Sequence, residues 1–315
     1  MSGAAPAKGF LTDVSLCIGC KACEVACRIW NEVPEADFEW RGPTYDHTGE
    51  LGACSWRHVK FLELPAEPAE PAVEEEAAPD LLHQELAPSP DEMSEDPFRW
   101  VFASDVCKHC AVAGCLEACP TGALVRTEVS SVLVQDDICN GCGYCVVTCP
   151  FGVIDRRPNG APSEQPRREA QRATARTPSV IAATSAEPLP GAGGAFKCTF
   201  CLDRQAGGLE PACATVCPTE SIRFGEVDAL EERGHRRVEE LQQRGESRAF
   251  LYDGRQGSVD QTHSLFVLFG EARDYGLPEA PQLPQRLLGK SWAAALLTAA
   301  AALLAAVLSF GGLGG

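Results

Sequence analysis

The chain has 315 residues, 17 of them cysteine, and a formal net charge of −17 at pH 7. The acidic balance leaves no basic footprint for nucleic acid. The length argues against a disulfide scaffold, because disulfide-dense domains are short.

Met1 to Phe10 has no apolar h-region and no twin-arginine pair, so no export signal is expected. Phe10–Asp13 reads as a strand leading into the first cysteine run, Cys17-x2-Cys20-x2-Cys23-x3-Cys27. A second strand is expected over Arg57–Glu63. Pro65 to Phe98 is different material, with eleven acidic residues, seven prolines and no lysine or arginine. One-signed charge and low hydrophobicity bury too little surface to offset chain entropy, so this segment reads as a disordered acidic insert. The other reading is a docking tail for a basic partner. Runs two and three follow: Cys107-x2-Cys110-x4-Cys115-x3-Cys119 and Cys139-x2-Cys142-x2-Cys145-x3-Cys149, with a strand expected over Ser131–Gln135 between them. Arg156 to Ala195, rich in arginine, proline, alanine and glycine, reads as a solvated second insert. Run four is Cys198-x2-Cys201-x11-Cys213-x3-Cys217. Beyond it, Val227–Arg244 is predicted helical, with Leu230, Val238 and Leu241 on one side. Phe250–Tyr252 and Ser264–Phe269 are predicted strands.

Sixteen of the 17 cysteines fall in these runs, and the last three runs end in Cys-Pro at Pro120, Pro150 and Pro218. Cys54 stands outside them and reads as an ordinary small thiol. C-x2-C-x2-C-x3-C-P is the bacterial ferredoxin signature, in which the fourth cysteine ligates the other cluster of a pair. Four runs of four thiolates therefore predict four 4Fe–4S clusters. Structural zinc also uses Cys-x2-Cys pairs, but three thiolates crowded on one loop suit three corners of a cube better than a tetrahedron around one ion. A 3Fe–4S site is disfavoured because no run lacks a ligand. Gly19, Gly141 and Gly143 lie in these loops, where unusual dihedrals favour glycine. His109 and Lys21, also inside runs, read as tuners of a cluster or solvated groups rather than catalysts. With clusters filling the interior, a small apolar core and a largely unfolded iron-free chain are expected. No phosphate loop, nucleophile constellation or dinucleotide fingerprint is present.

Trp292 to Phe310 carries no charge, and its nineteen residues span about 29 Å against a hydrocarbon core of about 30 Å. Nine are alanine, so the drive for insertion is weak, roughly −3 kcal/mol. The segment predicts a single C-terminal membrane helix or, alternatively, an apolar helix docked on a partner. Arg286 and Lys290 precede it, which favours the cytoplasmic side for the body, with the periplasmic side the alternative.

The stretches Cys17-Ile-Gly-Cys-Lys-Ala-Cys-Glu-Val-Ala-Cys27, Cys139-Asn-Gly-Cys-Gly-Tyr-Cys145 and Cys149-Pro-Phe-Gly152 resemble the iron–sulfur subunits of molybdopterin oxidoreductases. Within that group, Lys197-Cys-Thr-Phe-Cys-Leu-Asp203, Glu210-Pro-Ala-Cys213, Cys217-Pro-Thr219, Phe224-Gly225 and Tyr275-Gly-Leu-Pro278 look like the beta subunit of formate dehydrogenase. The resemblance implies an α+β fold of two interleaved dicluster ferredoxin-like modules. Residues 1–64 would begin the first module and 65–98 form the acidic insert. Residues 99–155 would form the second module, 156–195 the flexible insert, 196–285 the rest of the first module with a C-terminal α/β extension, and 286–315 the anchor. The resemblance further implies four cluster sites. Cys17, Cys20 and Cys23 would join Cys217, and Cys198, Cys201 and Cys213 would join Cys27. Cys107, Cys110 and Cys115 would join Cys149, and Cys139, Cys142 and Cys145 would join Cys119. The implied role is non-catalytic electron transfer from a molybdenum or tungsten pterin subunit oxidising formate. The acceptor would be a membrane cytochrome b subunit, a quinone-linked partner or a soluble carrier. The same relay in a hydrogenase or a sulfur-compound or sulfoxide reductase is the alternative, and a redox-sensing module is a third reading.

Overall fold

The computed structural model describes residues 5–34, 45–65, 98–157 and 193–311. Nearly all of the two expected inserts, 66–97 and 158–192, lies outside the described residues. The strands are β1 (Lys8–Asp13), β2 (Arg57–Pro65), β3 (Phe98–Val106), β4 (Leu124–Arg126), β5 (Val132–Val134), β6 (Asp155–Arg156), β7 (Ala195–Phe196), β8 (Ile222–Glu226), β9 (Ala249–Tyr252) and β10 (Ser264–Phe269). The α-helices are α1 (Ala22–Trp30), α2 (Gly114–Glu117), α3 (Tyr144–Thr148), α4 (Leu202–Ala206), α5 (Ala212–Thr215), α6 (Val227–Gln243) and α7 (Leu288–Gly311).

The largest sheet has the order β8-β1-β10-β9. β1 runs antiparallel to β8 and parallel to β10, with Phe10 opposite both Phe224 and Ser264. A parallel pair needs a crossover, and here almost the whole chain supplies it, so the two ends of the sequence meet in one sheet. β10 is buried at all six residues, as befits an apolar strand covered on both faces. α6 packs against this sheet through Leu230 and Leu241. It approaches closely at Gly234, where a Cβ would stand 2.7 Å from Leu251 Cδ1. Leu64, Val101 and Ala103 of the β2–β3 ribbon close the same core, which contains no cysteine. The expectation of a small apolar core is therefore corrected: β1, β9, β10 and α6 bury their own hydrophobic layer away from sulfur.

β2 and β3 form a nine-residue antiparallel ribbon from the pair Arg57–Val106 to the pair Pro65–Phe98. The ends of the acidic insert are thus held side by side. β3 was not anticipated, because it begins directly where the acidic composition stops. β6 and β7 do the same for the second insert, pairing Asp155 with Phe196 and Arg156 with Ala195.

α7 forms at the C-terminal apolar segment, and its side chains are exposed wherever they are described, over 292–306. Among the described residues no helix is long and apolar enough to cross a membrane. α7 has 24 residues, and its side chains are described over 292–306. The expected single-pass helix is not supported on those residues.

Candidate iron–sulfur sites

All 17 cysteines are free thiols. In each run the residue just before the second cysteine adopts a left-handed backbone: Gly19 at φ 68°, His109 at 43°, Gly141 at 71° and Phe200 at 62°. The turn re-aims the chain so that successive cysteines face one centre. Glycine takes this conformation without strain, and at Gly141 a Cβ would lie 2.7 Å from the carbonyl oxygen of Gly193. His109 and Phe200 hold it at a cost. Both are buried, and their rings meet with centroids 3.9 Å apart at an interplanar angle of 44°. The sequence flagged the glycines; nothing local marked His109 and Phe200 as their equivalents. The solvated reading of His109 is overturned by its burial, which with nearby Lys197, His263 and Arg126 holds its imidazole neutral. Lys21 is part-exposed and pairs with Glu24 and Asp46.

The fold gathers the thiols into four quartets. Cys17, Cys20, Cys23 and Cys217 line one cavity with Ile18, Val59 and Ile222. Cys107, Cys110, Cys115 and Cys149 line another with Val132, Val153 and Ile154. Cys27 is pushed well up by burial and then by the neighbouring Cys198, Cys213 and Cys201. Cys145 is pushed up to about 11 by burial and by Cys139, Cys142 and Cys119. Each quartet draws one thiol from a distant run or from the far end of the partner run. Among the described residues no three His, Cys, Asp or Glu groups converge on one metal ion. The thiols ring a cavity instead, which suits a cubane better than a single zinc.

Repulsion also reaches between quartets: Cys23 acts on Cys213, Cys107 on Cys198, and Cys145 on Cys115. The quartets therefore form a row. It starts at Cys17/Cys20/Cys23/Cys217, passes Cys198/Cys201/Cys213/Cys27 and then Cys107/Cys110/Cys115/Cys149, and ends at Cys139/Cys142/Cys145/Cys119. Exposure follows the row. Cys20 and Cys142, at opposite ends, are exposed, whereas Cys27, Cys198, Cys201 and Cys213 are all buried.

Burial raises Cys115 to about 12 and Cys213 to about 11. Such thiols keep their protons until iron replaces them, so the donor set fits a group that brings its own positive charge. Polar groups reach the sulfurs from outside the runs. Ser104 Oγ lies 3.2 Å from Cys23 Sγ. Asn31 donates from Nδ2 towards Cys27 Sγ at 3.6 Å and Cys201 Sγ at 3.7 Å. Asn31 sits four residues after Cys27, and Ser104 arrives on β3; neither was singled out from the sequence. Such hydrogen bonds set the potential of a bound cluster. Cys54, as expected, belongs to no quartet; it lines a surface pocket with Tyr45 and Trp56.

Two family models, each described as a 4Fe–4S dicluster domain, match the chain, one at residues 98–186 and 190–227 and the other at 16–123. The formate dehydrogenase-O iron–sulfur subunit of Escherichia coli is 32% identical over 286 residues, 90% of this chain and 74% of that protein. The formate dehydrogenase iron–sulfur subunit of Haemophilus influenzae is 33% identical over 277 residues, 87% of this chain and 69% of that one. A thiosulfate reductase electron transfer subunit of Salmonella typhi is 32% identical over 222 residues, 70% of this chain and 77% of its own length. Quartets of thiols in a row, dicluster models over residues 16–227 and relatives matched along some nine-tenths of this chain lead to one assignment: the chain belongs to the formate dehydrogenase iron–sulfur subunits and carries four 4Fe–4S clusters.

Proposed function

We propose that this chain passes electrons, through its four clusters, from a molybdenum or tungsten pterin subunit that oxidises formate. The row of quartets, exposed at Cys20 and Cys142 and with Cys27, Cys198, Cys201 and Cys213 buried between them, is the observation that carries this reading. Each bound cluster supplies a one-electron carrier. The protein's part is to hold the ligands, exclude water from the middle of the row and leave its two ends accessible. The ligand sets proposed are Cys17, Cys20, Cys23 with Cys217; Cys198, Cys201, Cys213 with Cys27; Cys107, Cys110, Cys115 with Cys149; and Cys139, Cys142, Cys145 with Cys119. On this reading runs one and four form one ferredoxin-like module and runs two and three the other, with inserts at 65–98 and 156–195.

Apolar side chains surround both ends. Ile18, next to Cys17, is exposed at the first, and Ile138 and Tyr144, next to Cys139 and Cys145, are exposed at the last. These supply the surface that donor and acceptor subunits require. The acceptor proposed is a membrane cytochrome b or quinone-linked partner. Exposed Trp292, Leu296, Leu297, Leu303 and Leu304 of α7 support attachment of this helix to a bilayer or to that partner. The body is proposed on the cytoplasmic side, with the periplasmic side the alternative. The likeness to a thiosulfate reductase subunit supports the second reading, the same relay serving a sulfur-compound reductase.

The test is purification of the intact complex, a count of iron and acid-labile sulfide, and addition of substrate under anaerobic conditions. About sixteen irons per chain and cluster bleaching by formate are expected. Stoichiometric zinc, or about four irons, overturns the ligand reading. Clusters that stay oxidised with formate but, once reduced, are re-oxidised by thiosulfate overturn the choice of complex.

A further inference from the structure

Arg57 opens β2 opposite Val106, the residue before Cys107. It is 2% exposed, and none of its three guanidinium nitrogens has a hydrogen-bond partner among the described residues. Its charge lies over the Phe10 ring, 4.8 Å from the centroid. A buried cation is costly unless negative charge matches it. Two other buried cations of the body are matched: Lys108 pairs with Asp105, and Lys197 donates to the carbonyls of Val132 and Cys198. Arg57 lines one pocket with Cys27; burial works against its charge, and thiols of two different quartets, Cys213, Cys198 and Cys27 of the second and Cys23 of the first, favour it. The reverse effect is also present, since after burial Arg57 is the largest influence on both Cys23 and Cys213.

We propose that Arg57 is a positioning charge for electrons: fixed between the first two quartets, it raises the reduction potentials of the two clusters they hold. This rests on the cluster reading above and goes beyond it. Reduction adds one negative charge to a cluster and moves no atoms, so a nearby cation that cannot relax away favours the reduced form. Standing between the two sites, the same charge serves both and keeps the hop between them near level. The Cys107/Cys110/Cys115/Cys149 and Cys139/Cys142/Cys145/Cys119 quartets lie further along the row and gain less.

The test compares the wild-type chain with R57Q and R57K, each counted for iron and then titrated electrochemically with EPR detection of the individual clusters. With about sixteen irons in R57Q, two of four midpoint potentials are expected to fall. The reduced-to-oxidised ratio at fixed poise should drop about tenfold, which is about 59 mV for a one-electron couple. The other two clusters hold their values, and R57K, which keeps the charge, stays near wild type. Cluster loss in R57Q with full retention in R57K also supports a requirement for charge. Unchanged potentials in R57Q, equal shifts in R57Q and R57K, or cluster loss in both overturn the proposal in favour of simple packing. A wild-type chain far short of sixteen irons overturns the cluster reading itself, and this inference with it.

Discussion

The layer between β10 and α6 and the layer that wraps the cysteines are comparably buried but held by different forces. The first is a sulfur-free core of Leu265, Phe266, Val267, Leu268 and Leu241, closed by Tyr275, and is stabilised by removing apolar surface from water. The second is built on Cys23, Cys27, Cys107, Cys198 and Cys213 with Phe10, Val59 and Phe200. It has few regular elements: α2, α4 and α5 are four or five residues long. Short helices of that kind do not stand alone in water, so ligation and folding are one event there. β10 and α6 hold apolar contacts of their own, whereas the cysteine layer is built around its ligands.

The strongest way to break this contrast is chelation. Removing iron should abolish hydrogen-exchange protection across 107–119, 139–149 and 198–217 while α6 and β10 keep part of theirs, read by exchange mass spectrometry. Equal loss in both layers would show that they are one cooperative unit, as the sequence-level expectation of a largely unfolded iron-free chain implies.

A narrower break is C149A. It should release the cluster of Cys107, Cys110 and Cys115, about four of sixteen irons, and leave that of Cys139, Cys142, Cys145 and Cys119 intact. Mössbauer or EPR counting that finds the loss confined to the third run's own first three cysteines contradicts the exchange of fourth ligands.

In the sulfur-free layer, L268A empties a site at 0% exposure and should cost about 3 kcal/mol in denaturant unfolding with iron content unchanged. Iron loss on a par with C149A would erase the distinction.

The smallest effect concerns acid. His263 is 5% exposed, and burial, with Arg126 nearby, lowers its pKa from 6.5 to about 4. The folded value is below the unfolded one, so the unfolded chain takes up the proton first. Its contribution is complete above pH 6.5 and lost as pH falls from there towards 4. H263Q should remove on the order of 2 kcal/mol of the pH 7 to pH 5 difference, seen in paired unfolding curves. A wild-type curve flat over that interval would exclude it.

The local elements were largely legible because period and composition are local properties. β1, β2, β5, β9, β10 and α6 stand where alternation or a 3.6-residue stripe placed them. β3 was hidden by its neighbour: an acidic stretch runs straight into Phe98, and only pairing with β2 reveals a strand. The left-handed positions at Gly19 and Gly141 were readable because glycine signals them, while His109 and Phe200 adopt the same backbone beside a ring contact that no local rule foresees.

The cysteine spacing alone determined that this chain binds iron–sulfur clusters and how many thiols it offers, since ligand geometry is written into intervals of two and three residues. Only the tertiary structure decided the order of the quartets, the burial of the middle of the row and the place of Arg57 between two of them. Those depend on which distant segments pack together: β1 must meet β10 across nearly the whole chain before a charge on β2 can face sulfur from two ends of the sequence.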